Sequence, residues 1–492
     1  MKKYTLSTIS ASIILFFALP FASFSQDGSL DNTFGVNGIV TTSFGPYTQA
    51  RVLDLAIQAD GKIVVIGYFD NDQFPLNDTE YRIIRYNANG SLDNSFGNNG
   101  IVNSSYNVRH VKIQADGKIL VQGNENLARY YTNGSLDNTF GIDGIVTCGS
   151  TDFAIQADGK IVITSAWSIK RYNTNGSLDA TFGVDGVATI TPIPTEYGYL
   201  SNLAIQTDGK IIVNGYQNVE GSRFLLARFN TNGILDNTFG VDGITYYDND
   251  SSFDRDLVLA IQADGKILSS VGTNNSAQKI ARFNTNGILN NTFGNFGVIT
   301  AQVGYCNCVD FTLQNDGKII VVGFSNNNGQ NDFTLNRFNT NGSLDNTFGV
   351  DGIITTSIGT ESYARFVAIQ ADGKIVVAGN SIDGSGDVFQ SVFTIVRYNN
   401  NLTGDISESN ISSQISIYPN PFSNTSTLKT NNLFDNATFI VYNTLGEQVS
   451  KIDNISGQTF TFYRENLEQG IYFYQLKENN IIVSENRFVI TD

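Results

Sequence analysis

Short apolar runs alternate with polar turns along most of this chain, and the same succession of runs recurs seven times. In the first copy, four strand-like runs cover Gly38–Phe44, Val52–Gln58, Lys62–Tyr68 and Tyr81–Asn87. The third run is almost continuously apolar, which is typical of an inner strand of packed sheets, whereas the first alternates apolar residues with Thr and Ser. The pattern therefore predicts four strands per unit and an all-β fold.

Two repeated phrases mark the turns between these runs. The first phrase, Ile/Leu-Gln-x-Asp-Gly-Lys-Ile, starts at Ile57, Ile113, Ile155, Ile205, Ile261, Leu313 and Ile369. The second, close to Gly-Ser-Leu-Asp-Asn-Thr-Phe-Gly, ends at Gly35, Gly97, Gly141, Gly183, Gly240, Gly294 and Gly349, so one unit spans 42 to 62 residues. Asp-Gly between the second and third runs signals a tight hairpin. Seven units of four short strands predict a seven-bladed β-propeller over residues 26–401.

The ends of the repeat array predict how the ring closes. The first run, Gly38–Phe44, is expected to complete the sheet that the last three runs begin. This arrangement closes the ring without a covalent link and leaves no exposed sheet edge. A solenoid would need atypical capping units at its ends, and the first and last units here look like the middle ones.

The repeated phrases resemble those of the delta-60 repeat family, whose members are mostly secreted bacterial proteins. The resemblance covers Asp27 to about Asn401. It implies a propeller outside the cell, and it implies no reaction.

Each unit also repeats an arginine in the fourth run and an acid in the turn that follows. The arginines are Arg85, Arg129, Arg171, Arg228, Arg282, Arg337 and Arg397. The acids are Asp31, Asp93, Asp137, Asp179, Asp236 and Asp345, with Asn290 in the remaining unit. Seven equal copies favour a hydrogen-bonding device between blades, for which Arg–carboxylate geometry is well suited. The alternative is calcium in turns such as Asn173–Asp179, although these lack the acid spacing of an EF-hand; the sequence indicates no other cofactor.

Alternate connections of an up-and-down sheet lie on opposite faces, so the repeated phrases share one face of the propeller. The other face, here named the variable-loop face, carries loops that differ in every unit. These loops are Gly45–Arg51, Phe69–Glu80, Thr191–Ser201, Tyr246–Arg255, Asn326–Asp332 and Ser381–Ser391. We expect a glycan or a protein to bind there. The candidate ligand-binding aromatics are Tyr47, Phe74, Tyr197, Tyr199, Tyr246, Tyr247, Phe253, Tyr305 and Tyr363. The alternative is that these rings only anchor loops to the blades.

Composition limits the chemistry. With 30 basic and 46 acidic residues the net charge is −16, which argues against nucleic-acid binding. Three cysteines exclude a disulfide framework; Cys306 and Cys308 could pair in a small ring, and Cys148 is expected to be a buried thiol. His110 is the single histidine and is expected in a loop or at a strand start, which argues against a Ser-His-Asp triad.

The first 25 residues read as a secretory signal peptide. Lys2 and Lys3 precede a short apolar core, Ile9–Phe21, and small residues at Ser23 and Ser25 favour cleavage before Gln26. An uncleaved anchor is the alternative, although the apolar core is short for a membrane span.

A different pattern begins after Asn401. Residues 402–414 are polar and predict a linker, and residues 415–492 predict a small Ig-like β-sandwich of about seven short strands. The motif residues are Pro419, Asn420, Pro421, Gly446, Gly470 and Tyr472.

These motifs resemble the type A C-terminal sorting domain of the type IX secretion system. The resemblance implies export across the outer membrane by that machinery and removal of the domain by a surface sortase. It also implies release of the product or its attachment to surface lipopolysaccharide. Glu485–Phe488 departs from the family, in which a more basic stretch is usual. The alternative is an adhesive sandwich that stays on the protein.

Three functions remain open from the sequence. The leading hypothesis is a secreted or cell-surface propeller that binds a glycan or a protein through the variable-loop face without catalysis, as in adhesion. The second is a secreted polysaccharide hydrolase or lyase with acidic residues in the central funnel. The third is a passive structural protein of the cell surface.

Overall fold

The computed structural model describes residues 27–45, 48–71, 79–149, 151–190, 197–218, 222–248, 257–274, 277–303, 310–327, 329–383, 390–400, 415–443, 447–478 and 481–491. The predicted signal peptide, the predicted linker 402–414, Cys306 and Cys308 lie outside these residues. The chain divides into two compact units, one ending at Asn400 and one beginning at Asn401. No helix in the described ranges is long and apolar enough to cross a membrane.

The first unit consists of seven four-stranded antiparallel sheets, as the sequence predicts. Blade 1 contains β2 (Thr48–Ile57), β3 (Ile63–Asn71), β4 (Thr79–Tyr86) and β5 (Ile101–Ser104). Blade 2 contains β6 (His110–Ile113), β7 (Ile119–Gln122), β8 (Asn126–Tyr130) and β9 (Ile145–Thr147). Blade 3 contains β10 (Phe153–Ile155), β11 (Ile161–Ser165), β12 (Ser168–Tyr172) and β13 (Val187–Thr189). Blades 4 and 5 contain β14 (Tyr197–Ile205), β15 (Ile211–Asn218), β16 (Ser222–Phe229), β17 (Ile244–Asp248); and β18 (Leu259–Ile261), β19 (Ile267–Asn274), β20 (Ala277–Phe283), β21 (Val298–Ala301). Blade 6 contains β22 (Asp310–Leu313), β23 (Ile319–Asn327), β24 (Gln330–Phe338) and β25 (Ile353–Thr356). Blade 7 contains β26 (Glu361–Ile369), β27 (Ile375–Asp383), β28 (Gln390–Tyr398) and the first strand of the chain, β1 (Ile39–Thr42).

The hydrophobic core lies between neighbouring blades. In β3, Ile63 and Val65 belong to the cluster shared with blade 7, whereas Val64 and Ile66 belong to the cluster shared with blade 2. All four side chains are fully buried. This two-sided burial explains why the third run of the first unit is almost continuously apolar. Burial of each such side chain stabilises the fold by about 1.5–3 kcal/mol.

The ring closes as the sequence predicts, because β1 pairs antiparallel with β28 from Ile39↔Val396 to Thr42↔Phe393. The residues just before β1 extend this contact. Asp31 N donates to Arg397 O at 2.9 Å, and Gly28 N donates to Asn399 O at 2.8 Å. The N-terminal segment therefore supplies the seventh copy of the turn that all other units form within one continuous stretch.

The second unit is one curled sheet of five strands: β29 (Ile415–Tyr418), β30 (Thr425–Tyr442), β31 (Gln448–Tyr463), β32 (Gly470–Glu478) and β33 (Ile481–Ile490). The sequence predicts about seven shorter strands. The number falls because β30 and β31 run through several bulges as continuous strands of 18 and 16 residues. A parallel bridge between Phe422 and Ile490 joins the start of the unit to its last strand, around a core that includes Phe439, Phe462 and Phe488.

Candidate functional site

A cavity of about 870 Å³ occupies the centre of the ring and is lined by residues of all seven blades. Most of its wall comes from the innermost strand of each blade and the residues just before it. One repeat position, four residues before the glutamine of the first repeated phrase, faces this cavity in every blade. We name it the inner ring, and its members are Asp54, His110, Asp152, Asn202, Val258, Asp310 and Phe366. The repeated phrase that follows this position is nearly constant, whereas the residue at the position itself differs in chemistry from blade to blade.

The three inner-ring carboxylates fasten neighbouring blades. Each accepts a backbone N–H from the next blade: Asp54 from Val111 at 2.8 Å, Asp152 from Leu203 at 3.2 Å, and Asp310 from Val367 at 2.9 Å. Their second partners are the N–H groups of Leu55 and Phe311 for Asp54 and Asp310, and Lys112 Nζ at 3.3 Å for Asp152. Part of the acidic character of the channel therefore has a structural role.

The inner ring also holds two groups whose pKa is raised by their surroundings, Asp310 and His110. Burial raises the pKa of Asp310 to about 7, and the nearby Asp54 carboxylate adds to that increase. Burial lowers the pKa of His110, but the Asp54 and Asp152 carboxylates outweigh it, so the net pKa is raised. His110 Nδ1 lies 3.7 Å from Asp54 Oδ2. Of these two groups, Asp310 is the one placed to gain or lose a proton around pH 7.

β-Bulges shape the wall next to the inner ring. The register shifts between Val52 and Asp54 in β2, between Leu200 and Leu203 in β14, and between Ala364 and Phe366 in β26. The extra residues, which include Leu53, Ser201 and Arg365, line the cavity. A bulge re-aims a side chain at the point where the ladder is interrupted, so these irregularities add functional groups to the channel.

Cationic and aromatic groups line the cavity on the side of the variable-loop face. Arg51, Arg109 and Arg365 come from blades 1, 2 and 7, which are adjacent in the ring. Tyr68 and Tyr81 pair across β3 and β4, with ring centroids 6.0 Å apart. These groups offer charge and ring faces to a ligand that enters from the variable-loop face.

The predicted aromatics divide into several groups. Tyr199 lines the channel, with its ring 4.5 Å from that of Tyr216. Tyr246 and Tyr247 lie on β17, the outermost strand of blade 4, where Tyr246 is 40% exposed beneath Arg223 and Tyr247 packs edge-on against Phe283.

Among the remaining predicted aromatics, Tyr363 is the one whose side chain the structure describes, and it does not line the cavity. Tyr363 lies on β26, where its hydroxyl contacts Glu361 and accepts a bond from Asn331 Nδ2 at 3.0 Å. Tyr197 opens β14, but its side chain is outside the described set. Tyr47, Phe74, Phe253 and Tyr305 also lie outside the described residues.

The repeated arginines lie on the opposite face, in one recurring arrangement. Arg85 Nε donates to Asp93 Oδ2 at 2.8 Å, the guanidinium lies 4.5 Å from the centroid of the Phe96 ring, and Nη1 donates to the carbonyl of Thr132 in the next blade. Each arginine makes such a contact with the turn of the next blade; in blade 6 the acceptors are Asn400 and Asp27. The arrangement joins blade to blade around the whole ring. Calcium binding at these turns stays a prediction.

Within the second unit, the first sorting motif is tied to the last strand. Asn420 Oδ1 accepts from Val489 N at 2.8 Å, and Ser426 Oγ donates to Pro419 O at 2.6 Å. Pro421 directly precedes the bridge residue Phe422, Gly470 starts β32, and buried Tyr472 donates its hydroxyl to Glu468 O at 3.0 Å. Gly446 lies outside the described residues.

Sequence reasoning missed the inner ring, including His110. The strand-start position expected for His110 is correct, since β6 begins there. Its place in the channel follows from the column that it shares with Asp54 and Asp152 when the units are aligned on the repeated glutamine. This column can be recognised in the aligned units, but its place at one site becomes apparent only when the seven strands meet at the centre of the ring.

Two family models match the chain. The "Domain of unknown function (DUF5122) beta-propeller" matches residues 58–96, 114–140, 156–182, 206–239, 262–293, 314–348 and 370–406. The "Secretion system C-terminal sorting domain" matches residues 416–491. None of the curated proteins is similar in sequence.

Several solved structures are similar in fold. A streptogramin B lyase structure is 10% identical, covers 73% of this chain and 97% of its own, and gives a TM-score of 0.41. A gluconolactonase from Xanthomonas campestris is 12% identical, with coverages of 62% and 92% and a TM-score of 0.35. A protein of unknown function from Dyadobacter fermentans is 9% identical, with coverages of 74% and 100% and a TM-score of 0.40. At these values the likenesses say nothing about chemistry.

Proposed function

This chain belongs to the DUF5122 β-propeller family and ends in a secretion system C-terminal sorting domain, and from that premise we propose that it binds a ligand outside the cell through its variable-loop face, with the central channel as the binding site. The sorting domain indicates export by the type IX secretion system to the cell surface or the medium. The proposal concerns what the propeller does once it is there.

The observation that carries this proposal is the central cavity. Its volume of about 870 Å³ lies within the range of small-molecule sites, which is roughly 300–1,000 Å³. Its wall combines tyrosine rings, arginines and side-chain amides, among them Tyr199, Arg365 and Asn202. Such a wall suits a hydroxyl-rich ligand, and a cavity of this size admits a glycan chain or a peptide segment but not a folded domain. We therefore favour a glycan.

Binding of the mature protein to an array of bacterial and algal glycans tests the proposal. Tyr199→Ala removes a ring from the channel wall and is expected to weaken binding at least tenfold. Tyr246→Ala is the matched control, because it removes an equal ring from the outermost strand of the same blade. Loss of binding in Tyr246→Ala with none in Tyr199→Ala would place the ligand on the rim and contradict the channel as the site.

A second candidate function is acid–base catalysis on a polysaccharide. The observation that favours it is the 3.7 Å contact of His110 with Asp54 close to Asp310, whose pKa of about 7 suits a general acid or base. Turnover on a panel of polysaccharides, abolished by His110→Gln, would establish it. Tight binding without turnover would leave the non-catalytic proposal as the better one.

A further inference from the structure

The charged residues of the channel wall limit the class of ligand that the channel can bind. The cavity wall carries the basic residues Arg51, Arg109, Lys112 and Arg365 and the acidic residues Asp54, Asp152 and Asp310. The count of basic and acidic residues does not determine the net charge that a ligand meets in the cavity. That charge depends on which groups are already compensated by hydrogen bonds or ion pairs. All three carboxylates accept backbone N–H groups, and Asp152 also pairs with Lys112 at 3.3 Å. Hydrogen bonds to a carboxylate compensate part of its charge inside the wall.

The arginines are bonded differently. Among the described residues, neither Arg109 nor Arg365 forms an ion pair with a carboxylate. Arg365 Nε donates to the neutral Asn380 Oδ1 at 3.0 Å, which leaves its two Nη groups at the fork end. Two guanidinium groups without a carboxylate partner therefore lie at the cavity wall, in a chain with a net charge of −16. A guanidinium fork matches a carboxylate in a bidentate arrangement.

The arginines of the cavity wall come from three neighbouring blades. Arg109 and Arg365 occupy the same repeat position, directly before the inner-ring residue, in blades 2 and 7. The two blades flank blade 1, whose Arg51 lines the same cavity two residues further from the inner ring. In blades 3, 4 and 5 the equivalent residues are Thr151, Ser201 and Leu257. Positive charge is therefore concentrated on one side of the channel.

The opposite side of the channel is neutral. Blade 5 contributes Leu257, Val258 and Leu259, and blade 4 contributes Tyr199 and Asn202. A ligand that fits this wall has an anionic group at one edge and a body with both hydroxyl groups and an apolar face. A pyranose ring that carries a carboxylate has these three properties.

We propose that the channel binds an acidic saccharide, with the carboxylate of a uronic acid residue held by Arg109, Arg365 and Arg51 and the sugar ring against blades 4 and 5. This inference rests on the proposed function and names its ligand class. Attraction between the arginines and the ligand acts over about 8–10 Å at ordinary salt.

Titration calorimetry on the full mature protein tests the inference with two pairs of probes. One pair is oligogalacturonate and its carboxyl-reduced counterpart, and the other is alginate oligomers and their carboxyl-reduced counterparts. Each pair keeps the sugar backbone and removes only the charge. We expect at least one acidic probe to bind ten times or more tighter than its reduced counterpart. Arg109→Gln and Arg365→Gln should each weaken that acidic probe at least tenfold and leave the melting temperature unchanged.

Arg82→Gln is the matched control, because Arg82 lies on β4 outside the cavity wall, bonded to Glu80 at 2.8 Å. It should bind like the unmodified protein. Reduced probes that bind as tightly as acidic ones, with no effect of the channel arginines, would overturn the acidic ligand and leave the proposed function intact. If no saccharide binds but a peptide binds with dependence on Arg365, the saccharide is wrong and the channel is right. If neither class binds, both the inference and the proposed function fall.

Discussion

Asn290 stands where six of the seven blades have aspartate, and this one difference changes the bonding of the arginine beside it. Arg282 is buried, its Nη1 donates to Thr340 O at 2.6 Å, and its Nε has no hydrogen-bond partner. Asn290 Nδ2 instead donates to Asn284 Oδ1 at 2.6 Å. The chain thus contains six intact copies and one incomplete copy of the same arrangement, which makes single-residue comparisons possible.

Asn290→Asp is expected to stabilise the propeller by ~1–3 kcal/mol, because the new carboxylate completes a charge-assisted hydrogen bond to the buried Nε of Arg282. Thermal or denaturant unfolding measures the change. The reciprocal variant, Asp236→Asn, removes the carboxylate that Arg228 Nε contacts at 2.8 Å. It should destabilise by about 3–5 kcal/mol. If neither variant differs in stability from the unmodified protein, the carboxylate contributes little to the free energy of unfolding.

Binding of an acidic ligand in the channel is expected to weaken as the pH rises from 6 to 8. Asp310, with a pKa of about 7, gains negative charge over this interval. His110, whose pKa is raised by the neighbouring carboxylates, changes charge in the same direction as the pH rises. Both changes make the wall less attractive to an anion. Dissociation constants for an acidic probe should rise with pH, and those for its carboxyl-reduced counterpart should stay constant. A flat profile for both would contradict this prediction.

At this scale the sequence predicted some roles and missed others for a clear reason. The role of Arg85 and its equivalents could be argued from seven copies of one local pattern. The role of His110 depends on strands of different units that meet at the ring centre, so no local pattern contains it. Tyr246 and Tyr247 were grouped with Tyr199 because all three lie near variable loops, but β17 is the outermost strand of its blade and β14 the innermost.

At the scale of the blade, stability is expected to depend on pH through one aspartate in the turn after the fourth run. Hydrogen bonds from Thr181 and Lys160 and the nearby Arg171 lower the pKa of Asp179. The equivalent acids are shifted in the same direction: Asp31, Asp93, Asp137, Asp236 and Asp345, with Asp345 at about 2. Burial opposes these shifts, and hydrogen bonds and cations outweigh it. Every blade but the fifth therefore carries one carboxylate that is more acidic in the folded protein than in the unfolded chain.

A lowered pKa gives stability that is present above the unfolded pKa of about 3.8 and is lost as the pH falls towards the folded pKa. Six such groups should make the melting temperature fall steeply below about pH 4. Melting curves from pH 6 to pH 2.5 measure this slope. Asp236→Asn should show a shallower slope than the unmodified protein, and an unchanged slope would contradict the assignment.

Strand existence was predictable, and strand length less so. The predicted run Lys62–Tyr68 corresponds to β3, which continues to Asn71, because pairing with β2 and β4 extends the ladder beyond the apolar segment. In the second unit, β30 and β31 pass through bulges that look like turns in the sequence. Bulge positions depend on the partner strand, which a single run of residues does not specify.

The whole molecule depends on the contact between its N-terminal segment and its seventh blade. Removing residues 27–42 would leave one edge of β28 unpaired and take away Asp27 and Asp31, the partners of Arg337 and Arg397. We expect a large fall in the melting temperature and oligomers visible by size-exclusion chromatography, because an unpaired strand edge pairs with other chains. Removal of residues 415–492 is the control, since it leaves the ring closed. A monomeric, equally stable N-terminal deletion would contradict the role of β1.

Export is also a property of the whole chain. Deletion of residues 416–491 should keep the propeller inside the cell, whereas the full chain should be found at the surface or in the medium. Mass spectrometry of the exported product is expected to find a first residue near Gln26 and a last residue within 402–414. An exported product that keeps residues 415–492 would contradict removal of the domain.

The pairing of β1 with β28 also sets an order in time. The ribosome synthesises β1 first, some 350 residues before its partner strand β28, and it synthesises the sorting domain after β28. A chain that ends before β28 therefore keeps β1 but lacks both the partner strand of β1 and the sorting domain. We expect such incomplete chains to stay inside the cell, so that an exported chain is one long enough to close its ring.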